Sequence, residues 1–135
     1  MAFWLLKSEP ETYGWHDLLA EGRTEWTGVR NPAAALHLKA MQVGDHAFFY
    51  HSGKPKEIVG TVEVTRTARQ DGEEARWVSV EIAPLMALER PVTLAAIKGD
   101  PALATMELLR QSRLSVSPVR DEEWAAILCA GAPPR

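Results

Sequence analysis

The stretch His46-Ala47-Phe48-Phe49-Tyr50-His51-Ser52, closed by Gly53-Lys54-Pro55 and followed by Glu57-Ile58-Val59-Gly60-Thr61-Val62-Glu63-Val64-Thr65-Arg66, decides the fold. Its first half is dense in aromatic residues and ends on a glycine and proline turn signal, the pattern of a central strand. The second half has a period of two. Ile58, Gly60, Val62 and Val64 fall on one face and Thr61, Glu63 and Thr65 on the other, as a half-solvated strand requires.

Upstream, Phe3 to Lys7 is an apolar and aromatic run ended by Ser8-Glu9-Pro10, which predicts a buried first strand because proline cannot donate to a ladder. Trp15 to Glu21 has helical spacing and is closed by Gly22. Thr24 to Arg30 reads as a short strand entering a loop. Asn31 is a good N-cap and Pro32 is tolerated at the first helical position, so a helix is expected to about Met41, with Ala33, Leu36 and Ala40 on its buried stripe. Downstream, Gln70 to Glu74 is a loop. Arg76 to Ala83 alternates again, Val78, Val80 and Ile82 one way and Trp77, Ser79 and Glu81 the other. A short extended piece around Val92, a helical turn at Leu94 to Lys98, and a helix from Asp100-Pro101 carrying Leu103, Met106 and Leu109 follow. Ser115 to Ser117 reads as the last strand, Asp121 to Cys129 as the last helix with Trp124, Ile127 and Leu128 at core spacing, and Ala130 to Arg135 as a tail. Five or six short strands among short helices, without regular βαβ alternation, predict an α+β domain on a small curled sheet or pseudo-barrel.

With 135 residues the chain is expected to be one domain, 1–135, and 46% hydrophobic against 24% charged residues is an ordinary globular balance. No run reaches the ~18 apolar residues of a membrane span, and the apolar part of the N-terminus is short for a signal peptide, so a cytoplasmic protein is expected. Cys129 is the single cysteine and excludes an internal disulfide. A net charge of -3 argues against coating duplex nucleic acid by charge alone, so any such contact is local. His16, His37, His46 and His51 have no H-x-x-x-H spacing, and no cofactor or metal is expected. Phosphate-loop and G-x-S-x-G signatures are absent.

What remains is aromatic and small polar residues gathered at strand ends: Lys7-Ser8-Glu9-Pro10, Trp26-Thr27-Gly28-Val29-Arg30-Asn31 and Phe48-Phe49-Tyr50-His51-Ser52. Rings that stack beside hydroxyl and main-chain groups that read an edge suit a planar heterocycle.

The strings WLLKSEP (Trp4 to Pro10), WTGVRNPAA (Trp26 to Ala35), FFYHS (Phe48 to Ser52) and LLRQSRLSVSPV (Leu108 to Val119) resemble the signature segments of the EVE domain family, in order, from Phe3 to about Leu128. The resemblance implies a PUA-like β-barrel flanked by helices and a non-catalytic module that recognises a modified or flipped nucleobase, modified cytosine foremost, in DNA or RNA. A monomer suffices for this reading. Carried over residue by residue, it implies a pocket of Ser8, Glu9, Trp26, Thr27, Arg30, Asn31, Tyr50, His51 and Ser52, with Lys7, Trp77, Gln111, Ser112 and Arg113 on the rim. Two departures matter: Thr27 stands where the family string has aspartate, and the loop between Arg66 and Trp77 is shorter than usual and lacks a Y-D-P motif.

Each residue also has a packing reading. Trp26 has polar, glycine-bearing neighbours, which places it in a loop at the pocket mouth as a stacking wall. Asn31 serves as a cap or a ligand contact, and Arg30 as an ion-pair partner or a phosphate contact. Lys7 in an apolar strand can extend its ammonium past the sheet end. Phe48 and Phe49 are core on opposite faces. Tyr50 and Ser52 share a face that His51 opposes, and Trp4, Trp15 and Trp124 are packing residues. Two other functions are alternatives: an amidohydrolase acting on an acylated pyrimidine, as in some relatives of the superfamily that the resemblance implies, with Lys7 and Glu9 as nucleophile or base, and a pocket for a small metabolite.

Overall fold

The computed structural model describes residues 1–132. Strands β1 (Phe3–Ser8), β2 (Thr24–Trp26), β3 (His46–His51), β4 (Glu57–Gln70), β5 (Val78–Thr93) and β6 (Val116–Val119) form one mixed sheet in the order β2-β5-β4-β3-β1-β6. β1 runs parallel to β3, with Leu5 opposite Phe48, Lys7 opposite Tyr50 and Ser8 opposite His51, while the other pairings are antiparallel. The α+β class and six strands agree with the sequence reading. The sheet does not close into a barrel: β2 and β6 are its two edges. Pro118 lies in the edge strand β6, where a missing N–H is tolerated.

Helices α1 (Trp15–Glu21) and α2 (Pro32–Ala40) serve one core, which includes Leu6, Trp15, Leu38, Phe49 and Val80. Helices α3 (Leu94–Lys98), α4 (Glu107–Arg110) and α5 (Asp121–Ala130) serve a second, built on Leu5, Phe48, Ile58, Ile97 and Trp124. In β1 and β3 the pleat divides alternate residues between the two cores, so Phe48 and Phe49 separate as expected. In the second core Trp124 stacks on Phe48 and Phe3 at centroid distances of 3.9 and 4.3 Å.

Several local expectations are corrected. In α2 the buried residues are Ala34, Ala35 and Leu38, while Leu36 is 64% exposed and Ala33 and Ala40 face solvent. Spacing alone allowed either stripe; packing on the sheet selects the one with Ala34 and Leu38 in the first core, while Asn31 caps the helix as expected by accepting the Ala34 N–H at 3.0 Å. In β4 a register shift between Ile58 and Gly60 breaks the single face: Ile58 joins the second core and Val62 and Val64 the first. Gly60 has no room for a Cβ, which would lie 2.5 Å from the Trp15 ring. β5 absorbs the extended piece at Val92, and Trp77 precedes it instead of alternating within it. The helix from Asp100 divides into a 3-10 turn (Pro101–Leu103) and α4, with Met106 as the junction. The tail is displaced. α5 includes Ala130, and Gly131 is buried, its carbonyl accepting the Arg90 N–H; residues 133–135 lie outside the described residues. Among the described residues no helix is long and apolar enough to cross a membrane.

Candidate nucleobase pocket

β2 sets the position of the first aromatic wall. Its three residues pair with β5, Glu25 opposite Glu81 and Trp26 opposite Val80. Two facing carboxylates would destabilise this pairing. Arg66 and Arg69 both meet Glu25 at 2.9 Å, and Ser79 donates to it at 2.9 Å, while Thr65 donates to Glu81 at 2.8 Å. The Ser79 hydrogen bond first, then Arg69, hold the Glu25 carboxyl below the ordinary carboxylate range. Trp26 is therefore the end of a pinned strand and is 9% exposed, which corrects its placement in a loop.

Trp26 meets Phe49 and Tyr13 edge-to-face at 5.7 and 6.3 Å, and Phe49 meets Trp15 at 5.5 Å. Of these rings Trp26 and Tyr13 line a crevice of about 610 Å³, and Phe49 and Trp15 back them. One side of the crevice is the turn after β1, where the Glu9 carbonyl accepts the N–H groups of Thr12 (3.0 Å) and Tyr13 (2.8 Å), and the Ser8 hydroxyl donates to the Tyr13 carbonyl. The other side is Thr27-Gly28-Val29-Arg30-Asn31. Gly28 has φ of 81°, a left-handed conformation that glycine takes without strain, and its N–H donates to Asp71 Oδ2 at 2.8 Å. Arg30 donates to the same oxygen at 3.0 Å. The Gly28 N–H and then the Arg30 guanidinium hold Asp71 below the usual carboxylate range. The short β4–β5 turn thus supplies a carboxylate that clamps the pocket loop.

Seven of the residues expected at the site line this crevice: Lys7, Ser8, Glu9, Trp26, Thr27, Arg30 and Asn31. Asn31 is also the α2 cap, so one of its two readings holds on geometry. Tyr50 and Ser52 do not reach it. Tyr50 is 3% exposed and belongs to the second core, and both residues open on the opposite face of the sheet. His51 is on the crevice face but set back, its Nε2 accepting the Trp15 N–H at 3.1 Å. Trp77 is buried outside the crevice, its indole N–H donating to Glu74 at 2.8 Å and its ring covered by Arg76 at 4.4 Å and Arg30 at 5.8 Å. Gln111, Ser112 and Arg113 line a shallow depression of about 370 Å³ that shares Asn31 with the crevice. The sequence reading missed Thr12, Tyr13, Thr24, Glu25 and Ser115, which also line the crevice, and the Asp71 clamp. Tyr13 between Glu9-Pro10 and Gly14 was a detectable signal, an aromatic ring in a turn; Asp71 was not, because only the folded hairpin brings it to Gly28.

An open α+β sheet with a crevice lined by Trp26 and Tyr13 at the end of β1 defines the class of this domain, and its similarity to known proteins gives the family. The EVE domain family model matches residues 2–130, and the chain belongs to that family. It is 33% identical to thymocyte nuclear protein 1 of Gallus gallus over 162 residues, covering 93% of this chain and 66% of that protein, so it spans about two thirds of that relative's length. The NMR structure of Rpa0253 from Rhodopseudomonas palustris has a TM-score of 0.92 at 48% identity, covering 97% of this chain and 93% of that one. The crystal structure of human THYN1 in complex with 5-methylcytosine-containing DNA has a TM-score of 0.89 at 30% identity, covering all of both chains.

Proposed function

We propose that this domain is a non-catalytic reader that binds a modified nucleobase, 5-methylcytosine as the first candidate, turned out of a nucleic acid into the crevice beside Trp26. The observation that carries this reading is the crevice: it is lined by the Trp26 and Tyr13 rings and by a loop whose glycine and clamp hold main-chain groups at the mouth. Rings bind a base by its faces and hydroxyl and main-chain groups read its edges. The DNA complex of human THYN1, a structure alike over its whole length, supports 5-methylcytosine as the first base to test.

The arginines of this face are largely committed. Arg30, Arg66 and Arg69 all have carboxylate partners, which fits recognition of one nucleotide better than a long phosphate track. The amidohydrolase reading loses support because the Lys7 ammonium is engaged by the Ser112 carbonyl at 2.7 Å and lies near Lys56, and among the described residues no hydrogen bond or ion pair joins it to Glu9. Titrating the chain with 5-methylcytidine, cytidine and matched methylated and unmethylated oligonucleotides tests the proposal. Methyl-dependent binding with a change in Trp26 fluorescence or NMR signals is expected, without turnover. Equal binding of both forms, or hydrolysis of an acylated cytidine, would overturn it.

A further inference from the structure

On the face of β1 and β3 away from the crevice, a cavity of about 110 Å³ opens between Lys7, Tyr50, Ser52, Lys56 and Ser112, over Leu94 and Leu108. Its ionisable lining is unusual. Two ammonium groups converge on it with no carboxylate among the lining residues, and among the described residues neither lysine makes an ion pair. Lys7 spends one N–H on the Ser112 carbonyl and keeps two, since an ammonium has three donors. Burial first, and then Lys56, push the Lys7 pKa down, so the two charges feel one another.

Tyr50 adds an independent observation. It is only 3% exposed, and no hydrogen bond within the described residues engages its hydroxyl. That oxygen is also absent from the sealed, unpartnered polar atoms, which are Tyr13 Oη, Trp15 Nε1 and Ser117 Oγ. The small surface that Tyr50 retains therefore belongs to the cavity it lines. Lys7 is half-buried beside the exposed Lys56, so its charge and the unpartnered, nearly buried phenol favour a complement. The complement is an acceptor-rich anion. The volume, about that of three or four waters at ~30 Å³ each, admits a tetrahedral oxyanion.

We propose that this cavity is a phosphoryl-binding site, with Lys7 and Lys56 as counter-charges and the Tyr50 and Ser52 hydroxyls as donors, and that in the complex it takes the phosphodiester next to the everted nucleotide. The second half rests on the base-reader function proposed above. Its link is β1: Lys7 lines both cavities, and its neighbour Ser8 lines only the crevice. The nucleic acid would pass over the sheet end, placing its base on one face and its phosphate on the other.

Three titrations of the full chain, followed residue by residue by NMR, test this: orthophosphate, free 5-methylcytidine, and a methylated oligonucleotide. Orthophosphate is expected to shift Lys7, Tyr50, Ser52 and Lys56 signals and leave the Trp26 indole unchanged. Lys56→Gln should weaken oligonucleotide binding and make the log–log salt dependence shallower by about 1, as loss of one phosphate contact predicts, with nucleoside affinity as in the wild type. Tyr50→Phe, which removes only the hydroxyl, should weaken the same ligand without a large change in Tm. Absence of any orthophosphate shift in the cavity would overturn the site. Wild-type oligonucleotide affinity and salt slope in Lys56→Gln, with orthophosphate still binding, would overturn the phosphodiester assignment and leave a site for free phosphate. Loss of nucleoside binding with orthophosphate binding retained would refute the base-reader function and support the anion site alone.

Discussion

The two faces of the sheet at the C-terminal ends of β1 and β3 differ in scale and chemistry. The α1–α2 face carries a crevice of about 610 Å³ bordered by edge-to-face rings and a clamped loop, in which the arginines are paired to acids. The opposite face carries a cavity of about 110 Å³ whose lysines are not paired. One residue step along β3 changes compartment, since Tyr50 lines the small cavity and His51 backs the crevice; in β1, Lys7 lines both openings and Ser8 the crevice. A strand that ends in successive functional side chains therefore serves two sites, and adjacency in sequence is a poor guide to shared chemistry.

The strongest attempt to break this division is Trp124→Ala. Trp124 stacks between Phe3 and Phe48 in the second core and touches neither opening. Truncating such a ring is expected to cost ~3–5 kcal/mol of stability. Calorimetry should show the Tm falling steeply, while nucleoside affinity measured well below the transition stays near wild type. A parallel loss of affinity would mean that the two cores are coupled through the sheet and that the faces are not independent.

Trp26→Ala comes next and tests the crevice side. Losing one aromatic–base stack costs ~1–3 kcal/mol of binding. Because Trp26 is 9% exposed and braces Phe49 and Tyr13, a fall in Tm is expected together with the loss of affinity. Trp26→Phe should restore most of the stability and part of the binding. Full ligand affinity in the alanine variant would remove Trp26 from the site.

Trp26 also shows where sequence reading stops. Its polar neighbours Glu25 and Thr27 suggested a loop, but Glu25 is held by Arg66, Arg69 and Ser79, partners 41 to 54 residues away. No local pattern carries that information. Periodicity located α1, α3 and α5 and the two-faced character of β3, because those depend on neighbours within a few residues. It failed on the phase of α2, where Ala33–Leu36 and Ala34–Leu38 are equally periodic, and on β4, where a bulge transfers the chain from one core to the other. The family resemblance supplied seven of the fourteen residues that line the crevice, and the pleat then removed Tyr50 and Ser52 from it.

Asp71→Ala is the third and smaller test. Hydrogen bonds to a charged group are worth ~1.5–3 kcal/mol, but the Asp71 and Arg30 side chains are 17% and 46% exposed, so screening reduces the expected effect to about 1 kcal/mol. That corresponds to about 5-fold weaker nucleoside binding, read by calorimetric titration, through a looser Gly28 loop. Asp71→Asn, which can still accept from the Gly28 N–H, should recover part of it. Wild-type affinity in both variants would show that the clamp does not shape the pocket.

The smallest effect expected is one of pH, and it separates the two faces again because it belongs to the crevice side. His51 Nε2 accepts the Trp15 N–H at the start of α1, which requires that nitrogen to be unprotonated. Burial first, and His16 second, hold the His51 pKa below the ordinary histidine value of 6.5. The unfolded chain then takes up its proton at higher pH than the folded one. Stability contributed by neutral His51 is thus complete above the unfolded value and declines as the pH falls from there toward the depressed native value. A modest fall in Tm is expected between pH 7.5 and 5.5, with weaker nucleoside binding as the α1 start loosens. His37 is also held low by burial, so the wild-type profile alone does not identify the group. His51→Gln keeps an acceptor for the Trp15 N–H and cannot titrate, while His37 remains. The variant should lose part of the acid-side slope and retain the rest; wild-type and variant curves that stay parallel over this range would rule out His51 as the group responsible.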